Sequence, residues 1–155
     1  KLARRLVGKL AAKKRMGGAV VLALSGALGS GKTTFVQSLA KALGIKGKIK
    51  SPTFVLVKWY KLRKRNVVFC HFVHVDAYRL GKISEAKHLG LEKAFKDKDA
   101  VVAVEWADRV RKLIPRSAIW VQLRHGKHPC ERRIEFKTQR SKVRTKTQKS
   151  KHSAR

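Results

Sequence analysis

The order of apolar and polar positions along the chain predicts an alternation of strands and helices. Leu2, Leu6 and Leu10 recur every four residues and predict a first helix. A continuous apolar run over 20–24 is typical of a buried strand, and residues 34–43 return to helical spacing. The chain therefore begins with the helix, strand and helix of an α/β unit.

Further strands are predicted along the rest of the chain. Their apolar runs cover 54–60, 67–75, 100–104, 118–123 and 132–136. The first two of these runs flank a short basic turn and predict an antiparallel hairpin, and the last two predict another around Gly126. Helical spacing over 85–95 is interrupted at Gly90. We therefore predict a single α/β domain with a mixed, partly parallel central sheet flanked by helices.

The loop after the first strand has the pattern G-x-x-x-x-G-K-[ST] and leads directly into a helix. Such a loop points backbone N–H groups and a positive helix end at phosphate oxygens. Lys32 adds a charge for the β- and γ-phosphates, and Thr33 supplies a hydroxyl for Mg²⁺. The predicted nucleotide contacts here are Gly26, Leu28, Gly29, Ser30, Gly31, Lys32, Thr33 and Thr34. The sequence thus predicts a P-loop NTPase domain that binds ATP with Mg²⁺.

The charge of the chain is extreme for an enzyme of 155 residues. Lys and Arg number 39 against 9 acids, a net charge of +30. This favours tRNA or other polyanions as partners, bound through the basic surface. Residues 137–155 contain no acid and almost no apolar side chain, so we expect a solvated basic tail after a domain over 1–136.

Cysteine content and the N-terminal segment bear on location. Cys70 and Cys130 are too few for a disulfide framework, and we expect no transmembrane span, so the sequence predicts a cytoplasmic protein. Residues 1–15 are basic and free of acids, as in transit peptides and membrane-surface helices. Their leucine spacing favours the first helix of the domain instead.

Two of the nine acids directly follow apolar strands. Asp76 ends the run over 67–75, and Glu105 ends the run over 100–104. The carboxyl ends of strands around a P-loop face the nucleotide, where hydrolysis needs Mg²⁺ and an oriented water. We therefore predict Asp76, Glu105 and Lys32 as catalytic residues, and Thr33 with both acids as Mg²⁺ ligands. Which acid holds the metal and which orients water is left open.

Three further residues have two interpretations each. Thr53 is either a sensor of the γ-phosphate or an ordinary strand-starting threonine. Trp106 either stacks on a base or covers the core. His74 shares a strand face with Asp76, and a lone histidine in this position is more often a packed or hydrogen-bonded residue than a ligand.

Five motifs occur together in a fixed order. They are GALGSGKTTF at 26–35, SPTF at 51–54, HVDAYRL at 74–80, LGLE at 89–92 and VEW at 104–106. With them the chain resembles, over roughly residues 2–136, the TsaE family, formerly YjeE. Members of that family are small bacterial ATPases required for the threonylcarbamoyladenosine modification of tRNA.

The resemblance implies a partner and residue roles. It implies docking on a TsaD–TsaB heterodimer, with ATP hydrolysis resetting that complex after each catalytic cycle. It also implies that Thr53 is a switch-like residue and that Asp76 and Glu105 are the acids of the site. The family usually has Asp where this chain has Ala27. Two alternatives stay open: a small P-loop kinase, and a basic RNA-binding protein with a non-hydrolysing nucleotide site.

Overall fold

A central β-sheet covered by helices on both faces organises the chain. The computed structural model describes residues 2–13, 17–47, 49–52, 56–62, 68–80, 85, 88–128, 130–138 and 141–149. The strands in these ranges are β1 (Val20–Ser25), β2 (Val57–Lys61), β3 (His71–Asp76), β4 (Ala100–Glu105), β5 (Ile119–His125), β6 (Glu131–Thr138) and β7 (Ser141–Lys149). The α-helices are α1 (Leu2–Lys13), α2 (Lys32–Ala42) and α3 (Leu91–Lys96), and Ala107–Val110 form a 3-10 helix.

The sheet is mixed, as the sequence predicted. Its strand order is β2-β3-β4-β1-β5-β6-β7. Strands β3, β4, β1 and β5 run parallel, while β2, β6 and β7 are antiparallel to their neighbours. The parallel register places Asp76 opposite Glu105, and Glu105 opposite Leu24 at the end of β1. The carboxyl ends of three neighbouring strands therefore meet at one edge of the sheet.

Side chains of β1 alternate between two apolar layers. Leu22 and Leu24 pack on the side of α1 and α2, and Val21 and Ala23 pack on the side of α3. Leu10 of α1 is fully buried in the first layer. The amphipathic N-terminal segment is thus an integral helix of the domain, as its leucine spacing predicted. None of the helices in the described part of the chain is long and apolar enough to cross a membrane.

The interruption predicted at Gly90 within the helical segment over 85–95 is confirmed. Glu85 and His88 are helical, Gly90 has φ 74°, and α3 begins at Leu91. One predicted strand differs in extent from the structure. The strand predicted from residue 54 begins at Val57, after Leu56 with φ 66°. Residues 54–55 of that prediction lie outside the described part of the chain.

The solvated tail expected over 137–155 requires correction where the structure describes it, at residues 137–138 and 141–149. Strand β6 continues to Thr138, and β7 pairs with it antiparallel from Ser141 to Lys149. The expectation was based only on how few apolar side chains this segment could bury. An edge strand is also stabilised by backbone hydrogen bonds to its neighbour, and β-branched residues such as Val143 have a high propensity for strands. The sheet therefore extends beyond the boundary predicted at residue 136.

Candidate active site

Three glycines shape the loop between β1 and α2. Gly26, Gly29 and Gly31 have φ angles of 146°, 72° and 92°, in a region of backbone conformation that residues other than glycine rarely adopt. A Cβ on Gly26 would collide with the Leu123 carbonyl and would lie 2.8 Å from Ser30 Oγ. The buried Ser30 hydroxyl has no hydrogen-bond partner among the described residues. The loop thus forms a tight, polar cradle that only this glycine pattern permits.

Lys32, the first residue of α2, folds back over this loop. Its Nζ donates hydrogen bonds to the Gly26 carbonyl at 2.8 Å and the Ala27 carbonyl at 2.9 Å. The same Nζ lies 3.6 Å from the centre of the Trp106 ring, a cation–π contact. The ammonium group is therefore held at the mouth of the loop.

The surroundings of Lys32 shift its pKa. The residue is only 5% exposed, and burial lowers the pKa of Lys32 from its ordinary value of 10.5. The negative charges of Glu105, Asp108 and Asp76 oppose this shift, in that order of size. An anionic ligand at the loop would act in the same direction as these carboxylates and favour the charged lysine.

Glu105 at the end of β4 is held through both carboxylate oxygens. Thr33 Oγ1 donates to Oε2 at 2.8 Å, and His74 Nε2 lies 2.8 Å from Oε1. His74 and Glu105 are 0% and 2% exposed. Since a carboxylate only accepts hydrogen bonds, the imidazole carries its proton on Nε2. His74 Nδ1 is buried without a hydrogen-bond partner in the described part of the chain.

Asp76 at the end of β3 is fixed in a similar way. Its Oδ2 accepts a hydrogen bond from Ser51 Oγ at 2.7 Å, and its Oδ1 accepts one from the backbone N–H of Tyr78 at 2.9 Å. The residue is 3% exposed and lies beside Glu105 in the parallel register. The two acids therefore meet at the strand ends nearest Thr33.

Trp106 directly follows β4 in the left-handed conformation, with φ 57°. Its indole ring lies 4.9 Å from the Tyr78 ring, and the Arg109 guanidinium lies 5.1 Å from the centre of that ring. Because the indole also contacts the Lys32 ammonium, Trp106 lies at the lysine end of the loop.

The structure brings together most of the residues that the sequence singled out. Lys32, Thr33, Asp76, Glu105 and Trp106 form one cluster around the glycine loop. Thr34 is exposed on α2, and the Leu28 side chain is 77% exposed, so Leu28 lines the loop with its backbone alone. Thr53 lies outside the described residues.

Sequence reasoning missed two supporting residues. His74 was interpreted as a packed or hydrogen-bonded histidine, but its partner, Glu105, was not identified. Ser51 appears in the sequence analysis only as the first residue of the SPTF motif, although its hydroxyl donates a hydrogen bond to Asp76. The contact between His74 and Glu105 could have been inferred from the sequence. His74 and Asp76 are two residues apart on a strand, so both lie on the face that carries Glu105.

The cluster is chemically suited to a hard divalent cation. Hydroxyl and carboxylate oxygens are the ligands that Mg²⁺ prefers, and Thr33 and Glu105 already present such oxygens 2.8 Å apart. Within the described ranges no group of three or more His, Cys, Asp or Glu side chains could hold a metal ion. A cation here would thus need phosphate or water oxygens as well, which is usual for Mg²⁺ bound with a nucleotide.

Comparison with known proteins identifies the family. The model of the family described as "Threonylcarbamoyl adenosine biosynthesis protein TsaE" matches residues 1–134. The chain belongs to the TsaE family. Curated TsaE proteins from Haemophilus influenzae and Bacillus subtilis are 30% and 35% identical over 105 and 116 residues, or 68% and 75% of this chain. The Aquifex aeolicus TsaE is 38% identical over 59% of this chain.

A solved TsaE-family structure has the same fold. The crystal structure of Bacillus subtilis YdiB superposes with a TM-score of 0.61 at 29% identity, covering 86% of this chain and 76% of that one. This confirms the predicted P-loop α/β fold. In the sequence comparisons the chain spans 63% of the Haemophilus TsaE and 61% of the Aquifex TsaE, less than two thirds of either protein, and 68% of the Bacillus TsaE.

Proposed function

We propose that this TsaE-family chain hydrolyses ATP in support of tRNA threonylcarbamoyladenosine biosynthesis. The observation that carries the proposal is the 2.8 Å hydrogen bond between Thr33 Oγ1 and Glu105 Oε2, which joins the P-loop to the end of β4. A hydroxyl after the P-loop lysine beside a strand-end carboxylate is the arrangement that P-loop NTPases use for Mg²⁺. The proposed role also implies a cytoplasmic location.

Each residue of the cluster receives a role. We assign Thr33 and Glu105 to the metal, because their oxygens already adjoin. Asp76 is assigned to the attacking water, since its carboxylate is held in one orientation by Ser51 and Tyr78. When bound, Mg²⁺ neutralises charge on the β- and γ-phosphates.

Lys32 exchanges partners when nucleotide binds. Its ammonium leaves the carbonyls of Gly26 and Ala27 and donates to phosphate oxygens, which are stronger acceptors because they are charged. The phosphate charge raises the pKa that burial had lowered, so the lysine stays protonated. The bound state therefore gains electrostatic stabilisation that the free protein lacks.

The proposed partner is the TsaD–TsaB heterodimer. Phosphate release from ATP should be slow for the isolated chain and faster after the heterodimer is added, with a Lys32→Ala variant as the control for contaminating ATPases. Absence of phosphate release in both mixtures, with ATP bound, would contradict hydrolysis and leave a non-hydrolysing nucleotide site.

We also infer that the chain contacts tRNA or another polyanion. The supporting observation is the net charge of +30, together with the basic sequence of residues 137–155, which contain eight Lys or Arg and no acid. Binding of tRNA should weaken steeply as salt increases. Affinity that does not change across a salt series would exclude this electrostatic mode.

A further inference from the structure

Trp59 is an exposed aromatic residue on a strand at one edge of the sheet. Its strand, β2, is first in the sheet order and pairs only with β3 among the described strands. Trp59 is 42% exposed, whereas the other two tryptophans, Trp106 and Trp120, are partly buried and contact Lys32 and Arg111. Tryptophan is enriched at interfaces because it combines a large apolar ring with an N–H donor, so this position is a candidate contact surface.

The neighbours of Trp59 hold its indole in place and leave one face of the ring uncovered. Trp59 lies opposite Val73 of β3, and His71, two residues earlier on β3, is on the same face of the sheet. The Trp59 and His71 rings form a T-shaped contact with their centres 6.0 Å apart. His71 Nδ1 in turn donates to Asp97 Oδ2 at 2.8 Å. Since a T-shaped contact covers at most one face of the indole, the other face can receive a planar group.

Basic residues flank this ring. Five of the eight residues over 58–65 are Lys or Arg, and none is an acid. Lys61 is exposed on the same face of β2 as Trp59 and lies opposite His71. Lys98 is exposed in the turn before β4, and the carbonyl of the next residue accepts a hydrogen bond from the His71 backbone N–H at 3.1 Å. We call Trp59, Lys61, His71 and Lys98 the Trp59 surface.

The Trp59 surface is remote from the phosphate loop. His71 begins β3 and Asp76 ends it, five residues or about 16 Å further along the strand. Because successive side chains of a strand alternate between faces, His71 and Asp76 also lie on opposite faces of β3. Substitutions on the Trp59 surface can therefore be tested without changing the residues of the ATP site.

The chemistry of the Trp59 surface suits single-stranded nucleic acid. Proteins that bind unpaired strands combine an aromatic ring, on which a base of any type stacks, with cations that contact the phosphates. The net charge of +30 favours such an anionic ligand over a second copy of this chain, which would bring like charges together. We propose that this surface binds an unpaired segment of RNA, with Trp59 stacked on a base and Lys61 and Lys98 on phosphates. This inference rests on the proposed polyanion contact and gives it a location.

The test separates stacking from charge. An oligouridine of about ten nucleotides and an abasic oligomer with the same number of phosphates are titrated by fluorescence anisotropy across a salt series. The full chain is compared with Trp59→Ala, Trp59→Phe, Lys61→Gln and Lys41→Gln. Lys41 is the matched control, since it is exposed on α2, which packs on the other face of the sheet, and its loss changes the charge equally. Thermal melting and ATP titration show whether each variant is folded with its ATP site intact.

The expected pattern distinguishes the two kinds of contact. Trp59→Ala should weaken oligouridine binding about tenfold at every salt concentration, the loss expected for one stacked base, and leave the affinity for the abasic oligomer unchanged. Trp59→Phe should keep most of the oligouridine affinity, because a phenyl ring also stacks on a base. Lys61→Gln should flatten the log–log salt dependence by about 0.7 for both oligomers, and Lys41→Gln should match the parent.

Other outcomes would overturn the inference. Unchanged oligouridine affinity in Trp59→Ala, or an equal loss for the abasic oligomer, would exclude stacking on Trp59. Equal effects of Lys61→Gln and Lys41→Gln would mean a general effect of charge. A dimer of the parent in analytical ultracentrifugation that Trp59→Ala abolishes would assign the surface to a second copy of the chain. If the parent binds neither oligomer, the polyanion contact fails together with this inference, whereas ATP hydrolysis is tested separately by phosphate release.

Discussion

Replacing Glu105 with glutamine tests the arrangement at the end of β4. Both carboxylate oxygens accept hydrogen bonds at 2.8 Å, one from His74 Nε2 and one from Thr33 Oγ1. In glutamine the carbonyl oxygen can still accept from His74, and the amide group can donate to the Thr33 hydroxyl, which is able to accept. The hydrogen-bond pattern therefore survives the substitution, while the negative charge is lost.

The expected effect on stability follows from these two bonds. A hydrogen bond to a charged acceptor contributes about 1.5–3 kcal/mol and a neutral one about 0.5–1.5 kcal/mol, so two exchanges cost roughly 2 kcal/mol. The glutamine variant no longer has to bury a charged carboxylate, and the free energy saved in this way offsets part of the 2 kcal/mol. By contrast, Glu105→Ala leaves both ring nitrogens of His74 without a partner in the described part of the chain, for a cost of about 3–5 kcal/mol.

Activity should fall sharply even in the variant that keeps the fold. The glutamine variant should bind ATP yet hydrolyse it about 10²–10³-fold more slowly, the loss typical of removing one group that stabilises transition-state charge, because a neutral amide holds Mg²⁺ less well than a carboxylate. Phosphate release with TsaD and TsaB, ATP titration and thermal melting measure the three quantities. Glu92→Gln, an exposed change on α3, is the control and should match the parent.

Two results would refute this reasoning. If Glu105→Gln binds and hydrolyses ATP at the parent rate, Glu105 is not part of the site. If it is as unstable as Glu105→Ala, the amide does not replace the carboxylate between His74 and Thr33 as we infer.

Three further predictions concern Lys32, Asp76 and the basic edge. Burial lowers the Lys32 pKa, so between that lowered pKa and 10.5 Lys32 binds more protons in the unfolded chain, and its contribution to apo stability rises with pH. In thermal melts over a pH series the gain in stability toward pH 10.5 should be smaller for Lys32→Ala than for the parent, and the ATP affinity of this variant should fall far more than its stability. Asp76→Asn should keep the fold, because asparagine can still form hydrogen bonds with the Ser51 hydroxyl and the Tyr78 backbone N–H, but it should no longer release phosphate from ATP. Phosphate release at the parent rate would refute the proposed role of Asp76. Deleting 139–155, which removes β7, should flatten the log–log salt dependence of single-stranded RNA binding by about 0.7 per lost phosphate contact. An identical slope in the two chains would place the RNA binding elsewhere.

Local patterns in the sequence determined the phosphate loop and much of the sheet. The glycines at 26, 29 and 31 have positive φ because the loop curls tightly, and that requirement is visible in the residue types themselves. Asp76 and Glu105 could be selected because strand ends are local features and parallel strand ends meet. The sequence therefore predicted that these two acids lie together beside the glycine loop, where the structure places them, and their catalytic roles are our proposal.

Only the tertiary structure decided the partners of those residues. Glu105 meets Thr33 across 72 positions of sequence, and the Leu28 carbonyl meets His125 across 97, so no local pattern encodes either contact. Strand β7 illustrates the same limit. Its composition predicts a solvated tail, but β7 pairs with β6 through backbone hydrogen bonds, which cannot be predicted from composition. Contacts of this kind depend on strand order and register, which form only when distant segments pack together.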